Sequence, residues 1–85
     1  MHINIERITR LHYLISHAST GTPEQLALKL SVSEATLYRD LQMMRNAGAP
    51  IIYNSIRQSY VYERSVDLKL LSFESHEPYE GFKPS

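Results

Sequence analysis

The sequence predicts a small, mainly helical domain in which three helices are followed by a β-hairpin. Three segments have apolar residues at three- and four-residue spacing, which places them on one side of a helix. These segments are residues 4–18, 23–30 and 34–47. After Pro50 the period changes to two, with the β-branched and aromatic residues that strands prefer at 51–53 and 60–62. A chain of 85 residues suits one domain of this size.

The first helix is predicted by one apolar stripe. The stripe consists of Ile5, Ile8, Leu11, Leu14, Ile15 and Ala18. We expect this helix to end near Gly21, because glycine accepts the left-handed conformation that terminates many helices.

The second helix has clear start signals. Thr22 can cap it, Pro23 suits its first position, and Gln25 stands three residues after Thr22, as in a capping box. The helix is only about two turns long, too short to be stable alone. We therefore expect it to pack against both neighbours.

The third helix follows a tight turn at 30–32, with Ser33 as its N-terminal cap. Its apolar face holds Leu37, Leu41 and Met44. Gly48 ends it.

The hairpin is predicted by two short alternating segments. Ile51 should share a face with Tyr53, and Tyr60 with Tyr62. The polar residues 54–59 between them have the length of a hairpin loop.

We divide the chain into three parts. Residues 1–64 form the folded domain. Residues 65–73 are apolar enough for a further strand, a segment that covers the core, or a homodimer contact. Residues 74–85 are expected to be irregular or disordered.

Composition argues against several functions. The chain has no cysteine, so it can form neither a disulfide nor a thiolate metal site, and we expect its four histidines to be unrelated side chains. Three glycines supply no phosphate-binding loop, and no catalytic motif is present. We therefore expect no enzyme activity, metal or cofactor. No apolar run is long enough to span a membrane, and the alternating N-terminus is no signal peptide, so we expect a cytoplasmic protein.

Charge is unevenly divided although the total is zero. Seven basic and five acidic residues up to Arg64 give +2, whereas two basic and four acidic residues from Ser65 onward give −2. The part predicted to fold therefore has a weak basic excess.

Three helices and a hairpin, with a short turn before the third helix, form the outline of a winged helix-turn-helix. The run TPEQLALKLSVSEATLYRDL at 22–41 and the following RNAGAPIIY at 45–53 resemble DeoR-type regulators and the N-terminal domain of WYL-domain regulators. The resemblance covers roughly residues 5–62. It implies binding of duplex DNA by a small transcriptional regulator.

The resemblance and the geometry of the fold indicate which residues contact DNA. The first turn of such a helix reaches base edges in the major groove, and the hairpin tip reaches the backbone or minor groove. We expect direct contact foremost from Arg39, which can bind guanine or phosphate, and next from Arg57. The predicted contacts are Ser33, Glu34, Ala35, Thr36, Tyr38, Arg39, Arg45 and Arg57.

Several of these positions have an alternative interpretation. Arg39 can instead pair with an acid such as Glu34, Tyr38 can pack on the hairpin, and Arg57 can be a solvated loop charge. An acid at Glu34 repels phosphate but can accept from cytosine. Ser31 stands where the resembling regulators have glycine, so it must adopt a strained conformation or a different turn.

The rival function is a protein-docking module, because fold does not determine function. The zero net charge, Glu34 and the tyrosine-rich hairpin fit that alternative.

Overall fold

The computed structural model describes residues 4–67 and confirms the predicted fold class. Its elements are α1 (Ile5–Ser16), α2 (Pro23–Leu30), α3 (Glu34–Asn46), β1 (Ile51–Asn54) and β2 (Ser59–Tyr62). The two strands pair antiparallel, with Ile51 opposite Tyr62 and Tyr53 opposite Tyr60. This is the pairing expected from the alternating sequence, extended by one further pair at the loop. The arrangement is that of a winged helix-turn-helix.

Each helix begins with a side-chain cap. The carboxamide oxygen of Asn4 accepts from the backbone N–H of Arg7 at 2.9 Å. At α2 the capping box is complete: Thr22 Oγ1 accepts from the N–H of Gln25 at 3.2 Å, and Gln25 Oε1 accepts from the N–H of Thr22 at 2.9 Å. The predicted caps at Thr22 and Ser33 are both present.

All three helices end in the same backbone pattern. The residue in the left-handed region is Ala18 after α1 (φ 51°), Ser31 after α2 (φ 58°) and Gly48 after α3 (φ 107°). In each case the next N–H bonds back to the carbonyl five residues earlier. These bonds are Ser19 to Leu14, Val32 to Ala27 and Ala49 to Met44. They satisfy carbonyls that the helix itself leaves unpaired.

The expectation that Gly21 terminates α1 is wrong. The helix ends at Ser16, and Ala18 takes the left-handed conformation instead. Gly21 serves the next helix: a Cβ there would come 2.4 Å from Gln25 Oε1, inside the capping box of α2. Its φ of 76° also favours glycine.

The core lies between the three helices and the inner face of the hairpin. Its fully buried side chains include Ile8, Leu11, Ile15, Leu26, Leu37, Leu41 and Met44. Ile5, assigned to the buried stripe of α1, is 44% exposed. Helical spacing sets the direction of a side chain, but a neighbouring element must also be present to cover it.

Two polar contacts fasten β2 to α1 and to the loop that follows α1. Thr20 and Ser59 are both fully buried, and their hydroxyls lie 3.1 Å apart. The phenol of Tyr62 lies 2.9 Å from Nδ1 of His12 on α1. Burial raises the pKa of Tyr62 to about 12, so this phenol keeps its proton at neutral pH and can donate it to the imidazole.

The chain continues past β2 without entering another strand as far as Asp67, and Val66 packs against the core. The rest of the segment 65–73 and the whole of 74–85 lie outside the described residues. No helix within residues 4–67 is long and apolar enough to cross a membrane.

Candidate nucleic-acid interface

The two faces of α3 differ sharply in exposure. One face is buried against the core, and its residues are Leu37, Asp40, Leu41 and Met44. The opposite face is exposed. We call Ala35, Arg39, Gln42 and Asn46 the outer face of α3. At 3.6 residues per turn these four positions lie within about 60° of one another around the helix axis.

The first turn of α3 holds four of the predicted contact residues. The Oγ of Ser33 accepts from the N–H of Thr36 at 3.1 Å and donates to the Oγ1 of Thr36 at 3.2 Å. Glu34 and Ala35 are exposed. The N-terminus of a helix carries partial positive charge, so Glu34 stabilises the helix there whether or not it meets a ligand.

Arg39 projects from the middle of the outer face. Its side chain is exposed and makes no hydrogen bond or ion pair with any residue from 4 to 67. The alternative in which Glu34 pairs with Arg39 is therefore not seen in this part of the chain. An exposed guanidinium with all its donors available can bind guanine or phosphate.

Tyrosines fill the junction between α3 and the hairpin. The rings of Tyr53 and Tyr60 meet edge to face with centroids 5.0 Å apart. Burial is the main cause of the raised pKa of Tyr60, and the neighbouring phenol of Tyr38 adds to it. Tyr38 is thus near the hairpin, as one interpretation expects. It is also 47% exposed, as a contact with DNA would require.

The side chain of Arg45 forms a hydrogen bond within the domain. Its Nε donates to the carbonyl of Ile51 at 3.1 Å, which ties the end of α3 to the start of β1. Its positive charge also lowers the pKa of Tyr60, against the larger effect of burial. The side chain remains exposed, so the guanidinium can serve both the hairpin and an anion.

Arg57 lies apart from the residues on α3. The carboxamide of Asn54 accepts from the backbone N–H groups of Ile56 and Arg57, both at 3.0 Å, and so shapes the loop. Arg57 and Arg64 both line an open cavity of about 520 Å³. The walls of this cavity come from the end of α1, the hairpin and residues 64–66, and not from α3.

The structure therefore brings six predicted residues together at the N-terminal half of α3. These are Ser33, Glu34, Ala35, Thr36, Tyr38 and Arg39. Arg45 lies two turns further along, and Arg57 belongs to a separate surface. Gln42 and Asn46 share the outer face with Arg39 but were not among the predicted contact residues. Gln42 follows Arg39 by three residues and Asn46 follows Gln42 by four, and this helical spacing was the available signal.

The described residues hold no cluster of histidine and acidic side chains able to bind a metal ion. A family model described as an HTH domain matches residues 7–55, more than half of the chain. The match begins in the first turn of α1, ends one residue after β1, and includes the whole outer face of α3. Searches of curated proteins and of solved structures gave no match.

Proposed function

The chain belongs to the helix-turn-helix (HTH) domain family, and on that premise we propose that it binds duplex DNA with α3 in the major groove. The observation that carries the proposal is the outer face of α3, where Arg39 is exposed and has no partner within residues 4–67. An α-helix fits the major groove, and arginine is the side chain most often used there.

We propose distinct roles for the two arginine positions. Arg39 lies on the outer face of α3 and is placed to meet base edges or adjacent phosphates. Arg57 lies in the hairpin loop and suits a phosphate or the minor groove beside the major-groove site. Two separate cationic surfaces fit a fold that contacts neighbouring parts of one duplex.

At a finer level we propose a small transcriptional regulator of the DeoR-like or WYL-regulator type. The support is the resemblance of residues 22–41 and 45–53 to those regulators. A single module of this size reads few base pairs, so we propose that it gains affinity by binding two half-sites as a homodimer. The segment 65–73 is our proposed location for that contact, with covering of the core as the alternative.

Salt-dependent binding to mixed-sequence duplex DNA tests the proposal. If about four phosphates are neutralised, log affinity should fall against log salt with a slope of about −3 to −4. Arg39→Ala should weaken binding by about 1–3 kcal/mol and relax base preference if it reads a base. Arg57→Ala should weaken all sequences alike and reduce the slope by about one.

Lys29→Ala is a charge-matched control, because the Lys29 ammonium donates to the carbonyl of Ser19 at 2.8 Å, in the loop between α1 and α2. It should change affinity less than either arginine substitution. If the wild-type chain shows no salt-dependent binding to any duplex at low ionic strength, the DNA proposal is wrong and a protein-docking role replaces it.

A further inference from the structure

Two amide side chains on the outer face of α3 are joined to each other. The Nε2 of Gln42 donates to the Oδ1 of Asn46 at 3.0 Å, and both side chains are exposed. This bond places the amide nitrogen of Gln42 toward the next turn of the helix.

This orientation leaves a defined set of groups free on Gln42. A glutamine amide has two N–H donors and one carbonyl acceptor, and Asn46 uses one of the donors. Within residues 4–67 the Oε1 of Gln42 accepts no hydrogen bond, whereas the other glutamine amide on a helix, that of Gln25, is used by its capping box. One N–H and the carbonyl of the exposed Gln42 amide therefore have no partner within residues 4–67.

Adenine presents the complementary pair in the major groove. Its N7 accepts a hydrogen bond and its N6 amino group donates one, and glutamine and asparagine are the side chains that bind both groups at once. Gln42 lies about 60° around the helix from Arg39, on the face that the proposed function directs toward DNA.

We propose that Gln42 reads an adenine in the major groove and that Asn46 is a positioning residue that orients its amide. The inference rests on the proposed function and adds a base preference to it. Phosphates do not require this arrangement, since any donor on Gln42 would serve them and the free carbonyl would repel them.

The test is selection from a duplex library with a randomised central region, using the wild-type chain and Gln42→Ala. We expect the wild-type selection to retain an adenine at one position, and Gln42→Ala to lose that preference by about tenfold. In the selected duplex, replacing that adenine by 7-deazaadenine removes N7. This replacement should weaken wild-type binding and leave Gln42→Ala binding unchanged.

Asn46 is tested by the contrast between Asn46→Ala and Asn46→Asp. Alanine removes the acceptor and should reduce the preference for adenine. Aspartate keeps the acceptor and should restore the preference, although its charge lowers affinity for every sequence. Equal preferences in the two variants would overturn the positioning role. Circular dichroism confirms that each variant is folded.

The outcomes separate this inference from the proposed function. If the wild-type chain binds duplexes but Gln42→Ala keeps the same base preferences, the adenine assignment is wrong and DNA binding stands. If Gln42→Ala weakens all sequences equally, Gln42 contacts the backbone and the assignment is also wrong. If the wild-type chain binds no duplex, both proposals fail.

Discussion

Arg7 on α1 and Asp40 on α3 form a two-point salt bridge that joins the first and third helices. The Nε of Arg7 lies 2.6 Å from Oδ2, and its Nη2 lies 3.2 Å from Oδ1. Asp40 is nearly buried, with 7% of its side chain exposed against 22% for Arg7. The hydrogen bond to Asp40 raises the pKa of Arg7.

The unequal burial of Arg7 and Asp40 predicts that replacing each one lowers the free energy of unfolding by a different amount. Arg7→Ala leaves a nearly buried carboxylate without this partner and should lower the free energy of unfolding by about 1.5–3 kcal/mol. Asp40→Ala should cost less, because the guanidinium can turn toward water. Urea denaturation measures both, with Arg10→Ala as an exposed control on the same helix. A larger loss for Asp40→Ala than for Arg7→Ala would contradict this explanation.

The buried hydroxyls of Thr20 and Ser59 predict a second loss of stability. Thr20 Oγ1 accepts from the N–H of Tyr60 at 2.8 Å, and Ser59 Oγ accepts from the N–H of Thr20 at 3.0 Å. Thr20→Val or Ser59→Ala leaves a buried N–H unpaired and should cost about 1–3 kcal/mol. The double variant should cost less than the sum, because both hydroxyls belong to one network. Ser55→Ala, in the exposed hairpin loop, is the control, and additive losses would argue against a shared network.

The left-handed conformation of Ser31 predicts a substitution that stabilises the domain. A non-glycine residue in the left-handed region destabilises the folded state by about 1–2 kcal/mol. Glycine removes this strain, but part of the gain in stability is offset because glycine raises the conformational entropy of the unfolded chain. Ser31→Gly should therefore raise the free energy of unfolding by about 0.5–1 kcal/mol. The converse control is Gly48→Ala, which should destabilise through its backbone alone, since an added Cβ has no atom within 4 Å. Thermal unfolding of both variants checks the opposite signs.

The buried phenol of Tyr62 predicts a loss of stability in alkali. Its pKa is raised from 10.0 to about 12 by burial, so the folded state resists ionisation more than the unfolded state does. The resulting stabilisation is complete below about pH 10 and is lost as pH rises to about 12. Tyr62→Phe should reduce the loss of stability between about pH 10 and pH 12, because phenylalanine cannot ionise. It should also lower stability at neutral pH by about 1 kcal/mol, because the contact with His12 is lost. Denaturation across the pH series, with Tyr13→Phe as the exposed control, measures the difference.

The carboxylate of Glu34 predicts a gain in DNA affinity when it is neutralised. Glu34 is exposed in the first turn of α3, where its charge repels phosphate. Glu34→Gln should strengthen binding to mixed-sequence duplex by about 1 kcal/mol or less at low salt. Glu6→Gln, in the first turn of α1, is the matched control. Weaker binding by Glu34→Gln would instead indicate that the carboxylate accepts from a cytosine.

The sequence by itself determined the elements and their limits wherever local chemistry decides them. Thr22, Pro23 and Gln25 specify the start of α2 through groups only three residues apart, and the structure has the predicted capping box. The alternation at 51–53 and 60–62 predicted the hairpin register, because a shift of one residue would put Ile51 and Tyr60 on opposite faces of the hairpin. Ser31 stands where the resembling regulators have glycine, which left a strained conformation or a different turn open, and the structure has the left-handed conformation.

Only the tertiary structure decided the contacts between distant segments. Arg7 and Asp40 are 33 residues apart, and Thr20 and Ser59 are 39 apart, so no periodicity relates them. Packing brings each pair together. Because the groups are buried, losing one partner then lowers the free energy of unfolding. The hydrogen bond between Gln42 and Asn46 joins residues only four apart. Their exposure, however, depends on which side of α3 the core covers. Sequence spacing predicts which residues share a face of a helix. The elements packed against the helix determine which face remains open to a ligand.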